Sequence, residues 1–274
     1  MDSTYADPTR AAYDSFAPFY DLYTHDFEYR PWLRNIEAAA VRHGLRGSRV
    51  LDVGCGTGKS FLPLLELGYE VTACDLSEGM LARAQEVAGD AVVLHVADMR
   101  ELPTLGRFDF VTCICDALNY MLTDDDLAAA FEGVARNLRP GGLFAFDLVT
   151  IGRFRASLSC DTAWEVENAF FCSRQPTESG VMEPGGTFTA VVEVFATDDG
   201  ECWRRHSTLH AQRHHPPELV EHLLDEAGME LVAVYGQRRG GRLELPADED
   251  AHIKVDYFAR RRATTARGYP GGGA

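Results

Sequence analysis

Between residues 46 and 150, short apolar runs alternate with amphipathic ones, and few folds accept that rhythm. SRVLDVG reads as a strand and KSFLPLLELG as a helix with Pro63 near its start. YEVTACDLS is a strand, and SEGMLARAQEVAG is a helix capped by Ser77. AVVLHVADM and FDFVTCICD are strands, DDDLAAAFEGVARNL is a helix, and GGLFAFDLV is a fifth strand. Strands that alternate with helices build a parallel sheet with right-handed crossovers. Their near-continuous apolar character fits burial on both faces.

Outside this stretch the pattern changes. Residues 1–45 read as a helical lid, with Pro18 interrupting one helix and Gly44 stopping the next. Residues 151–216 carry β-rich segments without intervening helices: AWEVENAFFCSR, GTFTAVVEVFA and CWRRHSTLHAQRH, with a turn at DDG 198–200. This is an antiparallel cap inserted after the fifth strand. Residues 217–262 return to the core through the helix PPELVEHLLDEAG and the strands MELVAVYGQ and HIKVDYFARR. The expected fold is therefore α/β: a mostly parallel seven-stranded sheet with helices on both faces. The Gly-rich tail, 263–274, is expected to be disordered.

A formal charge of -16 repels a phosphate backbone, so no nucleic-acid partner is expected. No apolar run reaches the ~18–20 residues of a bilayer span, so no membrane partner is expected either. MDSTYADPTR lacks the features of a secretory signal, which makes the cytoplasm the expected location. Seven cysteines without a CxxC give neither a disulfide frame nor a zinc site, and no carboxylate–histidine cluster reads as a metal site. A homo-oligomer remains compatible with the sequence.

The turn after the first strand, LDVGCGTGKS, puts Gly54, Gly56 and Gly58 at alternate positions. Glycines between a strand and a helix let backbone approach a ligand and aim N–H groups at it. A tight turn without a ligand would use them too. Asp75 ends the next strand, where an acid can accept both ribose hydroxyls and disfavours a 2′-phosphate. Asp98 and Met99 end the third strand and could clamp an adenine through a carboxylate and a backbone N–H.

At this point the chain resembles the class I S-adenosylmethionine-dependent methyltransferases. The matching strings are VLDVGCGTG (50–58), VTACDLSEGML (71–81), VADMREL (96–102), FDFVTCICDALNYM (108–121) and LRPGGLFAFDL (138–148). The resemblance implies a Rossmann-like fold and S-adenosylmethionine as cofactor, leaving as S-adenosylhomocysteine. It implies that Asp52 and the backbone of Gly54, Cys55, Gly56 and Gly58 hold the methionyl part. Asp75 would hold the ribose. Asp98 and Met99 would hold the adenine with Leu76 packing on it, and Cys115 and Asp116 would lie near the sulfonium.

CDALNYM is similar to a DSLNYL-like string of small-molecule methyltransferases, which makes Asp116, Asn119 and Tyr120 candidates for the active-site floor. Asn119 as a local cap and Tyr120 as packing are the plain alternatives. YDSFAPFYD resembles the segment that folds over the cofactor in amine-methylating members, with Tyr13 and Tyr20 as its tyrosines and Tyr5 upstream. A phenol face attracts a sulfonium, and a phenolic oxygen can orient an amine; an aromatic core stripe is the alternative. LHAQRHH is similar to an HxQR-like string, and strand alternation sets His210, Gln212 and His214 on one face. A histidine there could take a proton near neutral pH.

The expected reaction is methyl transfer to the amine nitrogen of a small molecule. The likeness extends to N-methyltransferases of lincosamide and amino-sugar antibiotic pathways. The alternatives are an oxygen acceptor, a nucleotide-dependent oxidoreductase on the same sheet, and a non-catalytic binding protein. GxGxG in place of GxGxxG, with the Asp98–Met99 pair, speaks against the oxidoreductase.

Overall fold

In the computed structural model, residues 7–158, 161–175 and 181–263 are described. Tyr5 and nearly all of the tail lie outside them. Two helices open the chain, α1 (Pro8–Tyr23) and α2 (Tyr29–Arg42). The alternation then runs β1 (Arg49–Val53), α3 (Leu62–Glu66), β2 (Glu70–Asp75), α4 (Glu78–Ala88), β3 (Val93–Val96), β4 (Phe108–Cys113), α5 (Asp124–Asn137) and β5 (Leu138–Val149). A helix follows, α6 (Ile151–Leu158), and then four strands: β6 (Thr162–Val166), β7 (Ala169–Arg174), β8 (Thr187–Thr197) and β9 (Trp203–Arg213). The chain closes with α7 (Pro217–Glu226), β10 (Met229–Arg238), β11 (Arg242–Glu244) and β12 (Lys254–Arg261).

The main sheet has the order β11-β10-β12-β5-β4-β1-β2-β3. Strands β3, β2, β1, β4 and β5 pair in parallel, and β12 runs antiparallel between β5 and β10. The expected seven strands are all there; the three-residue β11, too short to read, adds an eighth at the edge. Strand order reverses between β1 and β4, which opens a crevice at their carboxyl ends. The glycine loop leaves β1 and Cys115 leaves β4, so both flank that crevice.

Strands β6 to β9 form a separate antiparallel sheet, as the insert predicts. Two helical expectations need correction. The insert begins with α6, whose Ile151 and Phe154 are buried at helical spacing and whose first turn is capped by Thr150 Oγ1 accepting the Arg153 N–H at 3.1 Å. Pro18 does not interrupt α1: the helix continues to Tyr23, carried by burial of Phe16 and Ala17 just before the missing N–H.

Of the two opening helices, α1 packs against the cap sheet. Helix α2 belongs to the core, where Trp32, Leu33 and Ile36 pack with Val50 and Phe110 of the sheet. Helix α1 sits between core and cap. On one flank, Phe16 packs with Phe171, Val192 and Val194 of the cap sheet. On the other, Asp14 Oδ1 accepts from Ser77 Oγ at 2.6 Å and from the Gly79 N–H at 3.0 Å. Among the described residues no helix is long and apolar enough to cross a membrane.

Candidate active site

Two cavities lie under α1. The first runs over the glycine loop and is lined by Gly54, Cys55, Gly56, Asp75, Leu76, Asp98 and Met99. The second, of about 580 Å³, lies between core and cap and is lined by Asp116, His210 and Gln212, among others. Tyr13, Tyr20, Cys115 and Tyr120 line both, so the cavities meet at a throat of three phenols and a thiol.

The glycine loop is held by backbone bonds from Gly54 N and Cys55 N to the Cys74 carbonyl, at 2.8 and 3.0 Å. Gly54 has φ +70°, and a Cβ there would stand 3.1 Å from the Ala117 methyl across the cavity. Gly58 is different. It does not line the cavity; with φ +93° it lets Phe61 pack where a Cβ would stand 2.6 Å from the ring. Asp52 also leaves the expected ligand set. It is 1% exposed beneath the loop and accepts hydrogen bonds from Ser60 and from Thr112 Oγ1. Burial pushes its carboxyl up to about 6, against those two bonds. Its place is to hold Ser60, which does reach the cavity.

Asp75 faces the cavity and also braces it. Its Oδ2 accepts the Gly56 N–H at 2.8 Å and its Oδ1 accepts the Ser77 N–H at 2.9 Å. A carboxylate offers about four lone-pair sites, so two remain for a diol. Burial raises its pKa, while the two N–H donors oppose the rise. Asp98 is gripped by a residue that sequence reasoning missed: Arg100 Nε donates to both its oxygens at 2.9 and 3.0 Å. Arg100 also pairs with Asp7, the N-cap of α1, and so ties the Asp98 end of the crevice to that helix. The fork Asp98-x-Arg100 was visible in VADMREL, but nothing in the sequence joined it to Asp7.

The donor set fits a nucleoside with a cationic tail. Bare peptide groups lie at one end, a diol-accepting acid at the wall, Leu76 and Met99 beside it, and aromatic rings at the throat, where a sulfonium is attracted to their faces. A methyltransferase-domain family matches residues 50–142. A putative methyltransferase of Bacillus subtilis, YqeM, is 34% identical over 229 residues, covering 81% of this chain and 88% of that one. The chain belongs to the S-adenosylmethionine-dependent methyltransferases. A crystal structure of such a methyltransferase from Clostridium acetobutylicum has the same fold, with a TM-score of 0.77 at 24% identity, covering 92% of this chain and 99% of that one. A dTDP-3-amino-3,6-dideoxy-alpha-D-glucopyranose N,N-dimethyltransferase of Streptomyces fradiae is 34% identical over 130 residues, 46% of this chain and 50% of that one.

In this methyltransferase the throat is a hydrogen-bonded chain. Tyr13 Oη donates to Tyr120 Oη at 2.9 Å, and Tyr120 Oη lies 2.9 Å from His210 Nδ1. His210 Nε2 lies 2.9 Å from Thr208 Oγ1. Burial lowers the His210 pKa to about 4, only partly offset by Asp116. The ring is therefore neutral near pH 7: Nδ1 accepts from Tyr120, and Nε2–H donates to Thr208. Burial also holds Tyr13 and Tyr120 above the usual phenol range, so both stay protonated. Cys115 is pushed up to about 11 by burial and receives the Tyr29 hydroxyl at 3.2 Å, so it is a thiol.

Cys115 and Asp116 both have left-handed backbone, φ +66° and +58°, a conformation that costs a side-chain-bearing residue about 1–3 kcal/mol. The Asp116 N–H, turned inward, donates to Asp147 Oδ2 at 3.0 Å. Its carboxylate is taken at one oxygen by Lys254 Nζ at 2.6 Å and at the other by Gln212 Nε2 at 2.7 Å. Lys254 also meets Asp147 at 2.9 Å and was not anticipated. Burial works against its charge, but Asp116 and Asp147 hold its pKa well above the usual range.

Two further expected site residues stand apart. Asn119 is fully buried, donating to the Arg213 carbonyl at 2.8 Å and accepting the Val149 N–H at 3.1 Å. It joins cap to core and lines neither cavity. His214 lies beyond the end of β9, where strand alternation no longer applies. Its Nδ1 accepts the Gly185 N–H at 3.2 Å and its Nε2 faces Glu249 at 3.3 Å, away from the throat.

Proposed function

We propose that this methyltransferase transfers a methyl group to the amine nitrogen of a small molecule in specialised metabolism, such as the assembly of an antibiotic. One observation carries the choice of nitrogen: the throat is polar but uncharged. When bound, S-adenosylmethionine supplies an electrophilic methyl group and leaves as a neutral thioether. Gly54, Cys55, Gly56 and Asp75 would hold it from one side and Leu76, Asp98 and Met99 from the other. Tyr13 spends its own proton on Tyr120, so its oxygen lone pairs are free to accept an N–H and aim the amine lone pair. His210 keeps that chain pointing one way. With a pKa near 4 it is too weak a base to keep a proton at neutral pH, so it acts through Tyr120 as a positioning residue and not as the general base anticipated from sequence.

A neutral amine needs alignment more than a base, and alignment alone can supply about 7–11 kcal/mol of a barrier. An alcohol needs a base in the transition state. The phenols are held protonated, and Asp116 is occupied by Lys254 and Gln212. A cavity of about 580 Å³ is of small-molecule size. The Streptomyces fradiae relative, which methylates an amino sugar by name, supports the same reading.

The test offers the purified protein methyl-labelled S-adenosylmethionine with an amino sugar and its matched alcohol. Label on nitrogen, with the alcohol spared, is expected. Equal or faster labelling of the alcohol oxygen contradicts the proposal.

A further inference from the structure

The acceptor cavity carries charged side chains that its throat lacks. Arg153 from α6 and Arg239 from the turn after β10 both line it and are both exposed. Among the described residues neither makes an ion pair or a side-chain hydrogen bond. Their neighbours do. Arg155 faces Asp250 at 3.7 Å, Arg238 binds Glu244 at 2.7 Å, and Arg174, which lines the same cavity, meets Glu193 at 3.3 Å. With 42 acidic residues against 26 basic ones, acids are not scarce in this chain. Among the described residues the acids on this cavity are Asp116, taken by Lys254 and Gln212, and Asp161, which is also engaged. Two exposed guanidiniums from separate elements, without a side-chain partner among the described residues, thus line one cavity of a strongly acidic protein. A planar fork of donors is suited to an oxyanion.

We propose that Arg153 and Arg239 form an oxyanion site in the acceptor cavity, taking the phosphate or carboxylate of a bipolar substrate whose amine reaches Tyr13. This rests on the amine reading of the throat and extends it: the substrate is an amine at one end and an anion at the other. The opposed ends also fix which way the molecule enters. The surrounding field of -16 repels anions at a distance, so the contact selects by short-range pairing and not by long-range steering.

The test is calorimetry on the full chain saturated with S-adenosylhomocysteine, using three probes: an amino sugar phosphate, the matching amino sugar carboxylate, and the uncharged methyl glycoside of the same amino sugar. At least one charged probe is expected to bind about tenfold tighter than the glycoside, and the preferred one identifies the anion. Arg153→Ala with Arg239→Ala is expected to erase that advantage. Arg153→Lys with Arg239→Lys should keep part of it, and added salt should shrink it. Equal binding of all three probes overturns the proposal, and so does an equal loss for glycoside and anion in the alanine pair. Because this readout needs no methyl transfer, arginine-dependent binding without N-methylation would count against the amine reading alone.

Discussion

The two cavities are built from different material. Apart from the phenols it shares with its neighbour, the cofactor cavity is largely strand ends and backbone: the loop after β1, the acid ending β2, and the Asp98–Met99 pair after β3. Each of these is fixed by one local turn of a parallel sheet. The acceptor cavity is assembled from α1, β5, α6, the cap sheet, the turn after β10 and the start of β12, elements far apart in sequence. One is therefore set by local chain chemistry and the other by tertiary contact, and the variants below separate them.

Asp75→Ala is expected to act hardest. It removes the diol-accepting oxygens and unpairs the N–H groups of Gly56 and Ser77. S-adenosylhomocysteine affinity measured by calorimetry should fall about 100-fold, close to 3 kcal/mol. A loss confined to acceptor KM would place Asp75 in the wrong cavity.

The second outcome concerns acid. His210 titrates near 4 when folded but near 6.5 when unfolded. The unfolded chain therefore binds the proton first, and stability present above pH 6.5 drains as pH falls from 6.5 to 4. The linked loss is about 3 kcal/mol. Urea unfolding across this window should show a shallower acid limb in His210→Gln, whose side chain does not titrate. An unchanged limb would mean that His210 is solvated.

Asn119→Ala tests whether a buried amide braces the cap or touches substrate. Stability should drop by about 2 kcal/mol, because the Val149 N–H and the Arg213 carbonyl lose their partner. Acceptor KM in the folded fraction should stay near its original value. A raised KM without lost stability would return Asn119 to the substrate floor.

Tyr13→Phe should have the smallest effect in energy and the most selective one. Turnover falls about tenfold, near 1.4 kcal/mol, with cofactor affinity within a factor of about two. The hydroxyl is lost while the ring stays against the throat. Equal losses in both quantities would make Tyr13 a cofactor ligand only.

The same division governs what could be read from the residues alone. The parallel strands, the glycine turn, Asp75 and the Ser77 cap were legible because each is a local pattern. His210 and Gln212 were legible by alternation along β9, and His214 was misread because β9 ends at Arg213. Helix α6 was hidden in a stretch whose neighbours are strands, although the Ile151 and Phe154 spacing and the Thr150 cap were there. Lys254 could not be paired in advance, since its partners arrive from β5 and from the turn after β4. Asp52 kept its position but not its role, because only packing decides whether an acid at a strand end points up to a ligand or down to Ser60 and Thr112.

The central claim is that donor and acceptor meet at the throat of Tyr13, Tyr20, Cys115 and Tyr120. A crystal structure with S-adenosylhomocysteine bound tests it most directly. The expected density sets the adenine beside Leu76 and Met99, the ribose on Asp75 and the sulfur facing the throat. A nucleoside seated elsewhere, or a sulfur turned away from Tyr13 and Tyr120, would contradict it.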